Sequence, residues 1–277
     1  TKFYGDRRAL SNVSFCIQDR EIVGFVGLNG AGKTTALKLL SGLLFPSDGS
    51  ISLNALSTTR SPLEARSQVG FLSERPTLYA DMTVREMLTY SAKLYNFHSS
   101  KLARAVDRSI ELGHLKGVEH DLIAWLSHGY RQRVGLAMAV VHSPPILILD
   151  EPTNGLDPKQ IVQMRQVIRD LSKEHTVLLS SHLLGEISQT CDRLLILHEG
   201  RLIAEGTEES LVQSANAIKR KVVVAGETSL FRKSLEESEA SVLSLEDLPN
   251  GLAQATIQVS SSDKIETIVA SLVQAGL

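Results

Sequence analysis

The chain has 277 residues, enough for one sizeable domain and a smaller second one. Hydrophobic residues make up 43% and charged residues 22%, an ordinary globular composition, and the formal net charge of -2 excludes the basic field that nucleic-acid binding uses. No apolar run approaches the roughly 20 residues of a membrane-spanning helix, so neither such a helix nor a signal peptide is expected.

In chain order, Val13, Phe15 and Ile17 alternate with polar residues and predict a half-exposed strand. The apolar run 22–26 predicts a buried strand that ends in a glycine loop. A helix is predicted from Thr34, with Leu37, Leu40 and Leu44 on one face and Gly42 near its end. A strand follows at 50–53. Thr83 and Glu86 fit a capping box, and Val84, Met87, Leu88, Leu94 and Tyr95 predict one buried helical stripe. Further helices are expected at 100–112 and 130–141. The longest apolar stretch, 136–149, is interrupted by His142, Pro144 and Pro145, and residues 146–149 read as a strand buried on both faces. Asp157 and Pro158 open a helix carrying Ile161, Met164, Ile168 and Leu171.

A strand at 176–180, a helix at 183–191 and a hairpin turning at Glu199-Gly200 complete this part. From about Ala215 the rhythm changes. Strands at 221–224, 242–245 and 255–259 and helices at 229–237 and 263–275, the last stopped by Gly276, make a β-α-β-β-α unit. The expected architecture is α/β over residues 1–212, with a helical insert at about 75–145, and a small α+β domain over 213–277. Cys16 and Cys191 have no metal or redox spacing and suit a reducing compartment. The chain begins at Thr1 without a methionine, so a few preceding residues are expected.

The chemistry concentrates at strand ends. Gly27-Leu28-Asn29-Gly30-Ala31-Gly32-Lys33-Thr34, followed by Thr35, matches the phosphate-binding loop pattern between an apolar strand and a helix. Backbone N–H groups and the helix N-terminus would cradle phosphates, Lys33 would reach the terminal ones, and Thr34 would place its hydroxyl on Mg²⁺. Asp150 and Glu151 directly follow a buried strand, where ligands sit in open α/β sheets. Asp150 would hold Mg²⁺ through water and Glu151 would activate the attacking water; a solvated strand end is the plainer reading. Ser127 can cap the helix after it, with Gly129 keeping that terminus open to an anion; taken alone, this stretch is better explained as an ordinary N-cap.

In this order the phosphate loop, Leu126–Tyr130 with Arg131-Gln132-Arg133, the strand ending in Asp150-Glu151, Asn154-Gly155-Leu156-Asp157 and His182 resemble the nucleotide-binding subunit of an ABC transporter. The resemblance covers about residues 1–212. It implies a P-loop NTPase of ABC ATPase type, with ATP and Mg²⁺ as cofactors. It also implies a second ATP-binding subunit, a transmembrane permease as partner, no nucleic acid, and a peripheral place on the cytoplasmic face of the cell membrane. It implies further that Ser127 and Gly129 act in trans on the partner's γ-phosphate and that Asp157 lies at the dimer seam. His182 would contact the γ-phosphate and water, and Tyr4 would stack on adenine, although a structural histidine and an exposed strand-edge tyrosine are the plainer readings. Glu74 stands where the family usually has glutamine, and is expected on Mg²⁺. His128 replaces the usual first glycine of the signature. Both departures are similar to drug, ion and polymer export ATPases, including gliding-motility types. The alternatives are a soluble ABC-type ATPase and a nucleotide-sensing module without turnover.

Overall fold

A computed structural model describes residues 1–95, 97, 99–216, 218–226, 228–236, 241–249, 251–259 and 262–274, which fall into two units, Thr1–Thr207 and Glu208–Leu277. The first unit begins with strands β1 (Lys2–Tyr4), β2 (Arg7–Leu10) and β3 (Ile22–Val26), followed by helix α1 (Lys33–Leu40). The short pair β4 (Ser52–Leu53) and β5 (Leu56–Ser57), helix α2 (Pro62–Ser67) and strand β6 (Val69–Leu72) come next. Three helices follow, α3 (Val84–Leu94), α4 (Ser99–Leu112) and α5 (His128–Val140). The unit closes with β7 (Ile146–Leu149), α6 (Pro158–Ser172), β8 (Thr176–Ser181), α7 (Leu184–Ile187), β9 (Arg193–His198) and β10 (Arg201–Gly206).

The main sheet has the order β10-β9-β3-β8-β7-β6, parallel except for the antiparallel β10–β9 hairpin. β3 and β8 are buried along their whole length, which is why their sequences run apolar without alternation. Their register, Val26 beside Ser181 and Leu149 beside Leu179, brings the carboxyl ends of β3, β7 and β8 together. One core lies between sheet and α1, with Phe25, Leu37, Ile148 and Leu178. A second is built by α3–α5, with Met87, Leu88, Ile110 and Val134.

The capping box forms: Thr83 Oγ1 accepts from the Glu86 N–H at 3.2 Å, and the Thr83 N–H donates to Glu86 Oε2 at 2.8 Å. The buried stripe of α3 ends at Ala92; Leu94 and Tyr95 lie beyond it and are exposed, Tyr95 stacking on His142. Residues 11–18 join no strand among the described residues. Their period of two instead reports burial, since Val13, Phe15 and Ile17 pack on the first core and Phe15 meets Phe25 edge to face. α7 is shorter than expected because the Thr190 and Cys191 N–H groups both turn back onto Ile187 O as the chain enters β9. β6 carries no sequence signal of its own. It is short, contains Gly70, and owes its place to α5: a Cβ at Gly70 would lie 2.1 Å from Ala139 O.

In the second unit, α8 (Glu208–Asn216) precedes β11 (Ile218–Ala225), α9 (Thr228–Glu236), β12 (Ser241–Leu248), β13 (Leu252–Val259) and α10 (Ser262–Gln274). The antiparallel sheet β11-β13-β12 buries Val224, Ala253, Ala255 and Ile257 with Phe231, Leu235, Ile268 and Leu272 of the helices. The expected β-α-β-β-α order is present; Gly276 and the predicted helix ends at 237 and 275 lie outside the described residues. No helix among the described residues is long and apolar enough to cross a membrane.

Candidate nucleotide site

The loop between β3 and α1 has a backbone that glycine alone allows. Gly32 is the N-cap of α1 at φ +105°, and a Cβ there would meet Leu10 Cδ2 at 2.7 Å and Ala9 O at 2.9 Å. Only glycine meets both demands, and it leaves the first N–H groups of α1 facing outward. Ala31 packs into the core beneath the loop. Lys33 is buried, and its Nζ donates to Gly27 O at 2.7 Å.

Asp150 and Glu151 follow β7 at the same sheet edge. Ser180 joins them: its hydroxyl donates to Asp150 Oδ1 at 2.7 Å and accepts from the Glu151 N–H at 2.9 Å. Thr34 Oγ1 donates to the same Asp150 oxygen at 3.4 Å. Burial pushes the Asp150 carboxyl above the ordinary carboxylate range. The Ser180 and Thr34 hydroxyls lower it, and the nearby Glu151 and Glu74 charges raise it further. Glu151 is buried with φ +48°, a left-handed backbone that a non-glycine residue adopts at a cost of about 1–3 kcal/mol and that concentrates at functional sites. Its Oε1 lies 3.4 Å from Lys33 Nζ and its Oε2 accepts from His182 Nδ1 at 2.9 Å, so Lys33, Glu151 and His182 form one row.

Lys33, Thr34, Glu151 and His182 line a cavity of about 570 Å³, together with Asn29, Gly30, Gly32, Thr35, Glu74 and Tyr4. Tyr4 is 45% exposed, with Lys2 Nζ 5.5 Å from its ring centroid. Of the expected site residues, the lining leaves out Gly27, Ala31, Asp150, Ser127, Gly129 and Asp157. Ser127 Oγ accepts from the Tyr130 N–H at 3.4 Å and Asp157 Oδ1 from the Gln160 N–H at 2.8 Å, so each caps its own helix. Gly129 is buried against Gln160.

Sequence reasoning missed several neighbours. Arg7 and Arg8 line the cavity because β1 and β2 pair Tyr4 with Arg7 and Phe3 with Arg8; the signal was the short Gly5-Asp6 turn between them. Ser180, fully buried at the end of an apolar strand, was legible only as a strand residue. Asn154 carries a side-chain contact that the motif alone does not announce: its Nδ2 donates to Glu74 Oε1 at 3.1 Å. In the loop of residues 77–82 before α3, Leu78 and Met82 pack on the α3–α5 core, and Tyr79 is exposed, edge to face with Tyr90.

Residues 10–154 match the family described as "ABC transporter". The chain is 40% identical over 207 residues to the bacitracin transport ATP-binding protein BcrA of Bacillus licheniformis, covering 74% of this chain and 67% of that protein. It is 37% identical over 214 residues to a Nod factor export ATP-binding protein I of Burkholderia orbicola, covering 77% and 70%. Among solved structures, an ATP binding subunit of an ABC transporter superposes with a TM-score of 0.68 at 32% identity, over 76% of this chain and 89% of its own.

Proposed function

Because this chain belongs to the ABC transporter family, we propose that it drives export through a separate permease, working in pairs on the cytoplasmic face of the cell membrane. It binds and hydrolyses ATP, and the row Lys33–Glu151–His182 at the cavity is the observation that carries the assignment of roles. The backbone N–H groups of Gly30, Ala31, Gly32 and Lys33, with Asn29 and Thr35 at the rim, bind the phosphate oxygens, and the Lys33 ammonium balances the terminal charge. His182 Nδ1–H holds Glu151 Oε2, which leaves Oε1 to take a proton from the attacking water as Lys33 turns to the phosphates. Tyr4 stacks on the adenine ring.

The residues fit Mg²⁺. Thr34, Asp150 and Glu74 offer hard oxygen donors, and the buried Asp150 oxygen accepts from two hydroxyls, so a cation held there would offset its desolvation. Among the described residues no three His, Cys, Asp or Glu side chains cluster so that they could hold a metal ion by themselves. Bound there, Mg²⁺ neutralises charge that develops on the transferring phosphoryl group.

Ser127 and Gly129 do not line the cavity, and on this reading the α5 N-terminus serves the nucleotide of a second copy, with Asp157 at the seam. The export direction rests on Glu74 and His128, and on relatives named for bacitracin transport and Nod factor export. Glu151→Gln keeps the shape and removes the base. Turnover is expected to fall by at least about 10²-fold with ATP binding intact, read by phosphate release and calorimetry; normal turnover would remove Glu151 from its role.

A further inference from the structure

Three segments are tied together behind the cavity. Glu74, which lines it, accepts at Oε1 from Asn154 Nδ2 at 3.1 Å, and its main-chain oxygen accepts from Gln132 Nε2 at 2.8 Å. His128 Nε2 lies 3.1 Å from the main-chain oxygen of Asn154. A carbonyl oxygen only accepts, so Nε2 is the protonated nitrogen of this contact. The ring also lies against the neighbouring peptide: a Cβ at Gly155, whose φ is +73°, would come 3.3 Å from His128 Nε2. His128 and Gln132 stand one turn apart on α5. That helix therefore holds Glu74 twice, its main chain directly and its carboxylate through Asn154.

We propose that Asn154 is a positioning residue that fastens the Glu74 carboxylate to the serine-glycine turn of the same chain, with His128 as the other end of the fastening. The inference rests on the reading that Ser127 and Gly129 serve the partner's nucleotide. On that reading Glu74 belongs to one site and the His128 turn to the other, so the bridge passes through a single chain from one site to its twin. A glycine at 128 would have no side chain to reach Asn154. The two departures from the family pattern, Glu74 and His128, are thus the two ends of one hydrogen-bonded bridge.

The test is a double-mutant cycle in the full chain with Asn154→Ala, His128→Gly and both together, alongside His128→Gln, whose amide keeps an N–H donor. Each single variant is expected to lower kcat about tenfold with the calorimetric Kd for ATP unchanged. The double variant is expected to lose no more than the worse single, because each change opens the same bridge. His128→Gln is expected to recover most of the loss, an outcome that a purely packing role for His128 does not give. A double variant whose loss is the product of the two singles, or a His128→Gln variant as slow as His128→Gly, would overturn the bridge. Wild-type specific activity measured against protein concentration separates the two layers. Activity that does not depend on concentration over a range in which sedimentation shows the chain monomeric removes the shared-site reading; concentration dependence with multiplicative variants removes the bridge alone.

Discussion

At Asp150 folding and function pull in opposite directions. Burial makes ionisation of this carboxyl unfavourable, and Glu151 and Glu74 add like charge. Its pKa is therefore raised on folding, so the unfolded chain releases this proton at lower pH, and stability is lost as pH rises from the unfolded value through the folded one. Asp150→Asn keeps acceptors for Ser180 and Thr34 without the charge. The nucleotide-free variant is expected to melt higher than wild type at pH 7 by roughly 2–4 °C per kcal/mol relieved, with the gap closing in acid and Mg²⁺-dependent turnover lost. Melting curves at pH 4 and pH 7 check this; a variant that melts lower at pH 7 would contradict it. The residues of the phosphate loop and Asp150-Glu151 were legible because their spacing is set by the chemistry, whereas His182 stood out only through the family resemblance. Ser180 and Asn154 were not, because their contacts depend on which strand ends and loops become neighbours.

Elements were legible where their burial is local. The capping box of α3 and the Asp157-Pro158 start of α6 are written in consecutive residues. β6 was not, because a four-residue edge strand with a glycine owes its existence to β7 and α5 rather than to its own pattern. Gly70→Ala would drive a Cβ to 2.1 Å from the main-chain oxygen of Ala139, an atom that cannot rotate away. Overpacking of this kind costs about 1–3 kcal/mol, so Tm is expected to fall by at least about 2–4 °C; an unchanged melting curve would show that β6 and α5 separate freely. Residues 77–82 also resolve at this scale. With Leu78 and Met82 folded into the α3–α5 core, Tyr79 is the apolar side chain left outside. Tyr79→Asp is expected to weaken co-purification with the permease in mild detergent and to leave ATP binding intact.

Across the whole molecule, the first unit contains the cavity lined by the glycine loop and, outside that lining, the capped N-terminus of α5 at Ser127 and Gly129. Sequence spacing alone offers two grips without saying whether they close on one nucleotide. That Ser127 and Gly129 do not line the cavity is what supports a head-to-tail pair with two shared sites related by a two-fold axis. Mixing Lys33→Ala chains with Ser127→Arg chains tests this most directly. Each homodimer has a defect in both sites, whereas the mixed dimer collects both defects in one site and leaves the other whole. Phosphate release, nearly absent in either variant alone, is expected to rise and then fall as the mixing ratio is varied. Flat phosphate release at every ratio, with mixed dimers shown to form and a dimer with one intact site shown competent, would contradict it.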